Sequence, residues 1–193
     1  MSQTLLLPRW LLTMMPGEAV LDDHALLIDG ERIAATGPRE TLLAQYPQAE
    51  RVELPGQILI PGLINGHAHS AMTLLRGVAD DVPLMDWLQN HIWPLEKKWV
   101  SEAWTYLGSR LAAAEGLRSG TTYINDMYFF PDVTAAVATE AGLRAAVGLI
   151  VFDFPTIWAS GPDEYIHKGV ELHDALKGNP LLRCVFAPHE PYT

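Results

Sequence analysis

The stretch Pro61-Gly62-Leu63-Ile64-Asn65-Gly66-His67-Ala68-His69 decides the fold of this chain, because it joins a turn to an apolar strand that ends in two histidines. Alternate residues of a strand point to the same side. His67 and His69 therefore face one point, and two neutral imidazoles facing one way suit a divalent metal such as zinc. The alternative is a pair of half-buried histidines bonded to the backbone. The small residues beside them leave room for an ion, which favours the metal site.

Downstream of this stretch, apolar strands alternate with helices, as is typical of a parallel sheet. Further strands are predicted over residues 121–125, 144–152 and 182–187, and helices between Ser101 and Gly120 and over residues 132–141 and 163–177. The strands are followed at the same end by polar residues, namely the two histidines, Asn125 and Asp126, Asp153, and His189 and Glu190. Functional residues of a (β/α)8 TIM barrel lie at that end. Residues 61–193 are therefore predicted to form the first four β/α units of such a barrel.

Residues 1–60 carry β signals instead. A hairpin is predicted over residues 24–35, with Asp29-Gly30 as a two-residue type I′ turn. Strand-like segments on either side of it predict the N-terminal part of a small β-sandwich-like domain. A complete barrel takes about 250 residues, which is more than follow position 60. The chain is therefore expected to be the N-terminal part of a longer α/β protein.

The composition is that of a globular protein, since 49% of the 193 residues are hydrophobic and 19% are charged. This balance excludes disordered and collagen-like chains. The formal net charge of −10 argues against nucleic acid or an anionic membrane as a partner. Cys184 is the single cysteine, which favours a reducing compartment, and no transport signal or membrane-spanning run is visible. We therefore expect a cytoplasmic protein.

Several motifs point to a family. The nine-residue stretch around the histidines, with Gly120-Thr121-Thr122 and Ala187-Pro188-His189-Glu190-Pro191-Tyr192-Thr193, resembles the amidohydrolase superfamily in its chlorohydrolase and aminohydrolase branch. Ser70-Ala-Met-Thr-Leu-Leu-Arg-Gly77 and Leu84-Met-Asp-Trp-Leu-Gln-Asn-His-Ile-Trp-Pro-Leu-Glu96 narrow the resemblance to the 5-methylthioadenosine/S-adenosylhomocysteine deaminases. The resemblance covers essentially the whole chain, but only the N-terminal part of the proteins of that family.

The resemblance implies hydrolytic deamination at C6 of 5′-methylthioadenosine, and of adenosine or S-adenosylhomocysteine, to the inosine analogue and ammonia. It implies one zinc ion per subunit, with His67 and His69 as its first two ligands. Glu96 would hold the ribose hydroxyls and His189 would contact the nucleoside. The remaining ligands and the catalytic acid/base glutamate are expected beyond Thr193, so no catalytic residue is assigned within this chain.

Some of these positions have simpler interpretations when the residues are taken alone. Glu96 is followed by Lys97 and Lys98, which is typical of a solvated charge run. His189 suits a loop as well as a site. Trp87 and Trp93 are interpreted as packing residues more readily than as the lining of a pocket.

Two absences refine the expectation. In members of the superfamily that hold two metals, a modified lysine at the end of the fourth strand bridges them; residues 182–189 contain no lysine, so the resemblance implies a single ion. In members of the family that take S-adenosylhomocysteine, an arginine near the loop after the third strand meets its carboxylate, whereas residues 153–162 of this chain contain no arginine or lysine. Uncharged 5′-methylthioadenosine and adenosine are therefore predicted to be preferred.

Two alternatives stay open. One is a related deaminase that acts on another ring, such as guanine, 8-oxoguanine or a triazine. The other is a barrel that serves as a scaffold and has lost its chemistry. The expected partner is a small-molecule purine nucleoside, and a homo-oligomer is left open.

Overall fold

The computed structural model describes residues 3–189 of the chain, so Glu190 lies outside the described residues. The chain divides into two compact units, Met1–Pro61 and Gly62–Thr193. Within residues 3–189, no helix is both long enough and apolar enough to cross a membrane.

The first unit contains a five-stranded mixed sheet and one helix. Its elements are β1 (Gln3–Leu11), β2 (Leu21–Asp22), β3 (His24–Asp29), β4 (Arg32–Pro38), α1 (Arg39–Gln45) and β5 (Glu50–Leu59). β2 and β3 run antiparallel to β1, β4 pairs with β3, and β5 runs parallel to β1. Leu5, Leu7 and Leu27 of the sheet pack against Leu42 of the helix. A sandwich partner for this sheet stays a prediction.

The predicted hairpin in this unit is confirmed, but its predicted type I′ turn is wrong. Asp29 pairs with Arg32, so the two central residues are Gly30 and Glu31. Among the two, only Gly30 has a positive φ, of 60°. A type II′ turn needs a positive φ only at its first central position, where glycine adopts it at no steric cost. Asp29 therefore remains in the ladder of the sheet.

The second unit confirms the predicted alternation of strands and helices. Its elements are β6 (Leu63–Ala68), a 3-10 helix (Ser70–Leu75), α2 (Leu84–Asp86), a π-helix (Trp87–Ile92), α3 (Trp93–Trp99), α4 (Glu102–Arg118), β7 (Thr121–Asp126), α5 (Pro131–Glu140), β8 (Arg144–Val151), α6 (Pro162–Ala175) and β9 (Leu182–Pro188). The four strands form a parallel sheet in the order β6-β7-β8-β9. The α/β class is confirmed, and closure into a (β/α)8 barrel stays a prediction.

Local chemistry explains where these elements begin and end. Residues 145–150 of β8 are all buried, as expected for a strand of a parallel sheet that is covered on both faces. Ser101 caps α4, because its side chain accepts the N–H of Trp104 at 3.2 Å. Gly120, with a φ of 90°, then turns the chain from α4 into β7.

Apolar residues at helical spacing predict helix α4, namely Trp104, Leu107, Leu111, Ala114 and Leu117. Its buried face nevertheless consists of small residues. Its buried members are Thr105, Gly108, Ser109 and Ala113, whereas the side chain of Leu107 is 60% exposed. A Cβ atom at Gly108 would lie 2.3 Å from the backbone oxygen of Ala71. The glycine thus lets α4 pack directly against the 3-10 helix that follows His69.

Candidate active site

The carboxyl ends of the parallel strands meet around a cavity of about 670 Å³ within the second unit. Three of the four predicted site residues, namely His69, Glu96 and His189, line this cavity. His67 contacts His69. Trp87 and Trp93 also line the cavity, although the sequence favoured packing roles for them. The predicted site residues therefore come together although His67 and His189 lie far apart in the chain.

His67, near the end of β6, and His69, directly after it, have the spacing of ligands to one ion. Their Nε2 atoms lie 3.2 Å apart, and their rings are nearly perpendicular, at 84°. Zinc binds histidine nitrogen at about 2.0–2.1 Å in tetrahedral geometry, which places two such nitrogens about 3.3 Å apart. The spacing of His67 and His69 therefore fits a shared metal ion. The alternative, in which both rings bond only to the backbone, does not account for the contact between the two rings.

The orientation of His69 is fixed by the strand next to it. Its Nδ1 lies 2.6 Å from the backbone oxygen of Met127, directly after β7. Because a carbonyl oxygen only accepts, this contact assigns the ring proton to Nδ1 and leaves the lone pair on Nε2. The N–H of Met127 in turn donates to the oxygen of Ala68 at 3.0 Å. Met127 thus holds both the backbone and the ring at this position.

Asn125 and Asp126, which the sequence analysis listed among the polar residues at the strand ends, lie at the end of β7 and bond to the backbone beside the two histidines. The side chain of Asn125 donates to the oxygen of Gly66 at 3.2 Å. The carboxylate of Asp126, which is only 2% exposed, accepts the N–H of Ser70 at 2.6 Å. Burial raises the pKa of Asp126, and the hydrogen bonds from Ser70 oppose that rise. Both residues therefore brace the backbone on either side of His67 and His69.

Glu96 faces the cavity from α3 and is paired with a residue that the sequence did not single out. The hydroxyl of Tyr128 donates to Oε1 of Glu96 at 2.6 Å. Burial raises the pKa of Glu96, while the bond from Tyr128 and the proximity of His69 oppose that rise. Burial and the negative charge of Glu96 also raise the pKa of Tyr128, so its hydroxyl stays a proton donor. The charge-run interpretation of Glu96 is wrong, because its carboxylate is held in the cavity.

The opposite side of the cavity is aromatic. The ring of Phe152 lies 4.6 Å from that of His189, 4.9 Å from that of Phe154 and 6.1 Å from that of Phe129, measured between centroids. The N–H of His189 donates to the oxygen of Val151 at 3.2 Å, which continues the ladder between β8 and β9. His189 is therefore placed by strand pairing and ring packing together.

The charge around the cavity is unevenly distributed. The loop after β8 lines it with Phe154, Pro155, Thr156 and Ile157, and contributes no basic side chain. Among the described residues, Lys97 is the one lysine or arginine of the lining. Residues 3–189 also contain no group of three or more His, Cys, Asp and Glu side chains that could hold a metal ion. His67 and His69 can therefore supply only part of a ligand set.

Comparison with known proteins gives the class to which this site belongs. The model of the amidohydrolase family matches residues 58–193, and a model described as an imidazolonepropionase-like composite domain of bacteria matches residues 25–49. The chain belongs to the amidohydrolase family, which confirms the resemblance drawn from its motifs.

Individual relatives narrow the comparison. A 5-methylthioadenosine/S-adenosylhomocysteine deaminase of Saccharophagus degradans is 48% identical over 96% of this chain and 42% of its own length. The enzyme of the same name from Teredinibacter turnerae is 49% identical over 95% of this chain and 42% of its own length. The chain thus spans less than half the length of these relatives.

Solved structures agree with this assignment. An adenosine deaminase of Xanthomonas campestris with bound zinc is 46% identical and superimposes with a TM-score of 0.96, over all of this chain and 44% of its own. An atrazine chlorohydrolase of Arthrobacter aurescens complexed with zinc is 23% identical, with a TM-score of 0.84 over 98% of this chain and 47% of its own. The second likeness concerns the fold alone.

Proposed function

We propose that this chain, with the rest of its barrel, forms a zinc-dependent hydrolase that deaminates 5′-methylthioadenosine and adenosine at C6, releasing ammonia and the inosine analogue. The observation that carries the proposal is the 3.2 Å spacing of the Nε2 atoms of His67 and His69, beside the cavity that Glu96 and His189 share. The names of the relatives support the reaction class. The third and later metal ligands and the acid/base glutamate would come from outside this chain.

His67 and His69 are the residues that would hold the metal. A zinc ion at such a site acidifies water and so supplies a nucleophile at neutral pH. The carbonyl of Met127 accepts the hydrogen bond of Nδ1 of His69, which leaves Nε2 as the ring nitrogen that a metal can bind. The ring is thereby oriented before the ion binds.

Glu96 and the aromatic residues would bind the nucleoside. A carboxylate accepts hydrogen bonds from two hydroxyl groups at once, which suits the vicinal diol of ribose. Phe129, Phe152 and Phe154 offer ring faces and edges against which a purine can pack. His189, in contact with Phe152, would meet the same ligand from β9. The cavity of about 670 Å³ has the size of a small-molecule site.

The loop after β8 supports a preference for uncharged substrates. Its lining residues are apolar apart from Thr156, so the carboxylate of S-adenosylhomocysteine would meet no cation there. We expect a higher kcat/KM for 5′-methylthioadenosine than for S-adenosylhomocysteine. Equal values would contradict this preference, and a Lys97→Met variant would then show whether Lys97 meets the carboxylate instead.

The proposal is tested by ammonia release from 5′-methylthioadenosine, measured with the full-length, zinc-loaded protein beside a His67→Ala/His69→Ala variant. Release that disappears in the variant is the expected result. Stoichiometric zinc without release from adenine nucleosides would move the function to another ring amine, for which guanine and a triazine are the substrates to try. A full-length protein that binds no zinc would support a scaffold.

A further inference from the structure

We propose that Tyr128 is a positioning residue that aims the carboxylate of Glu96 at the sugar of the ligand and so makes the site selective for ribose over deoxyribose. The inference deepens the proposed function and rests on its assignment of Glu96 to the sugar. It assigns a role to a residue that lies 32 positions from its partner and carries no recognisable sequence signal.

The contact itself is strong and directional. The hydroxyl of Tyr128 lies 2.6 Å from Oε1 of Glu96, within the range of hydrogen bonds to an ionised acceptor. Within residues 3–189, the side chain of Glu96 has no other hydrogen-bond partner. One oxygen is therefore engaged, and the remaining lone pairs of the carboxylate stay available to hydroxyl groups of a ligand in the cavity.

Tyr128 cannot readily turn away from this contact. Its side chain is 5% exposed and packs with Ala71 and Val100. Its ring centroid lies 6.0 Å from that of Trp104 and 5.1 Å from that of Phe129. A buried ring that is packed on several sides fixes the direction of its hydroxyl. Without this contact, the side chain of Glu96 would be flexible. The tyrosine thus lowers the conformational freedom that the carboxylate would lose on binding a ligand.

Its place in the chain connects this function with the metal site. Tyr128 directly follows Met127, whose carbonyl orients His69. Two consecutive residues after β7 therefore aim a metal-facing imidazole and a sugar-facing carboxylate into one cavity. The imidazole of His69 and the carboxylate of Glu96 are thereby each tied by a hydrogen bond to adjacent residues at the end of β7.

The test measures binding rather than turnover. Dissociation constants of inosine and 2′-deoxyinosine, which the proposed reaction does not consume, are determined for the full-length wild type and for Tyr128→Phe. We expect the wild type to prefer inosine by about tenfold, as for a hydrogen bond to a charged group. The Tyr128→Phe variant should lose this preference and bind inosine about as weakly as it binds 2′-deoxyinosine.

A matched control separates this effect from a general loss of packing. Tyr106 also donates to a glutamate, Glu140, at 2.9 Å, but it does not line the cavity. Tyr106→Phe should therefore leave the preference for inosine unchanged. Glu96→Gln should abolish the preference with the tyrosine in place, and adding Tyr128→Phe to it should change nothing further.

Three results would overturn the inference: a wild type that does not distinguish the two ligands, a Tyr128→Phe variant that weakens both equally, or an effect of Tyr128→Phe that persists in the Glu96→Gln background. A different result would refute the proposed function. Ribose preference without ammonia release from adenosine would refute deamination and leave the role of Tyr128 supported.

Discussion

The two sides of the cavity are built by different forces. The hydrogen-bonded wall, formed by His69, Glu96, Met127 and Tyr128, is held by short polar contacts of 2.6 Å. The aromatic wall, formed by Phe129, Phe152, Phe154 and His189, is held by ring contacts with centroids 4.6–6.1 Å apart. Hydrogen bonds constrain direction, whereas ring packing constrains shape and area.

This difference matches the work proposed for each wall. A metal ligand and a sugar-binding carboxylate must point within narrow angles, because their partners are small and their bonds directional. A surface that packs against a purine needs area and a low dielectric, and tolerates small shifts of its rings. Changes in the hydrogen-bonded wall should therefore alter metal or sugar binding, and changes in the aromatic wall should alter affinity for the base.

The largest effect is expected from replacing His69, which lines the cavity, by alanine; His189, which also lines it, serves as the comparison. His69→Ala should lose zinc and lower kcat/KM by about 10³-fold or more, since a metal contributes several kcal/mol to such a reaction. His189→Ala should keep one zinc per subunit and lower kcat/KM less. Elemental analysis after dialysis, beside kinetics, measures both. Stoichiometric zinc in His69→Ala would place the metal elsewhere.

A smaller effect on zinc affinity is expected from changing Asp126, which supports the hydrogen-bonded wall from behind. Asp126→Ala leaves the buried N–H of Ser70 without its acceptor, which costs about 1–3 kcal/mol of stability. Because Ser70 follows His69, zinc affinity should also fall, by about tenfold, the lower end of the effect of losing a direct partner of a ligand, since Asp126 bonds the neighbouring N–H and not the ring. Competition with a chelator measures it. Asp126→Asn, which keeps an acceptor oxygen, is the control, and unchanged zinc affinity in Asp126→Ala would limit Asp126 to the fold.

The aromatic wall should respond differently. The ring of Phe154 is 39% exposed at the cavity, so Phe154→Ala removes ligand contact with little disturbance of the core. A stacked ring contributes about 0.5–1.5 kcal/mol, so KM should rise roughly two- to tenfold while zinc content stays at the wild-type level. Phe154→Leu, which keeps apolar area, should have a KM between those of the wild type and Phe154→Ala. A loss of zinc in Phe154→Ala would break the distinction between the walls.

The smallest effect, on the stability of the fold, is expected from the ion pair of Glu164 and Lys168, which supports the aromatic wall from behind. Glu164 pairs with Lys168 at 2.6 Å and accepts the N–H of Ser160 at 2.8 Å, and Lys168 also donates to the backbone oxygen of Trp158. The bonds from Lys168 and then from Ser160 lower the pKa of Glu164 from 4.5 to about 2.

A carboxyl whose pKa is depressed on folding stabilises the fold above its unfolded pKa, and this contribution is lost as the pH falls through the folded value. Wild type should therefore unfold at a higher urea concentration than Glu164→Gln at pH 7, and the gap should narrow between pH 4.5 and about 2. The group is exposed, so the gap is small and screened by salt. A gap that stays constant from pH 7 to pH 3 would contradict this account.

Much of the fold was readable from the sequence, because its signals are local. The apolar run 145–150 predicted a buried strand, Ser101 and Gly120 predicted the limits of a helix, and each appears in the structure. The turn of the first hairpin was misplaced by one residue, because Gly30 tolerates a positive φ at either central position and the strand register decides which one it takes.

The candidate site was only partly readable. The prediction that two histidines face the same way at the end of a strand follows from the two-residue period of β structure, and their 3.2 Å contact agrees with it although β6 ends at Ala68. The roles of Asp126, Met127 and Tyr128 were not visible, because their partners lie 56, 58 and 32 positions away in the chain. No local pattern encodes a contact over such separations.

The sequence by itself therefore determined the strands, the helices and the pair of histidines, since each depends on residues within one element. Only the tertiary structure decided how these side chains are aimed. The pairing of Ala68 with Asp126 across β6 and β7 brings the end of one strand against the histidines of the other. That register is fixed by packing and hydrogen bonding of the whole sheet, so the orientation of His69 and Glu96 is a property of the folded chain.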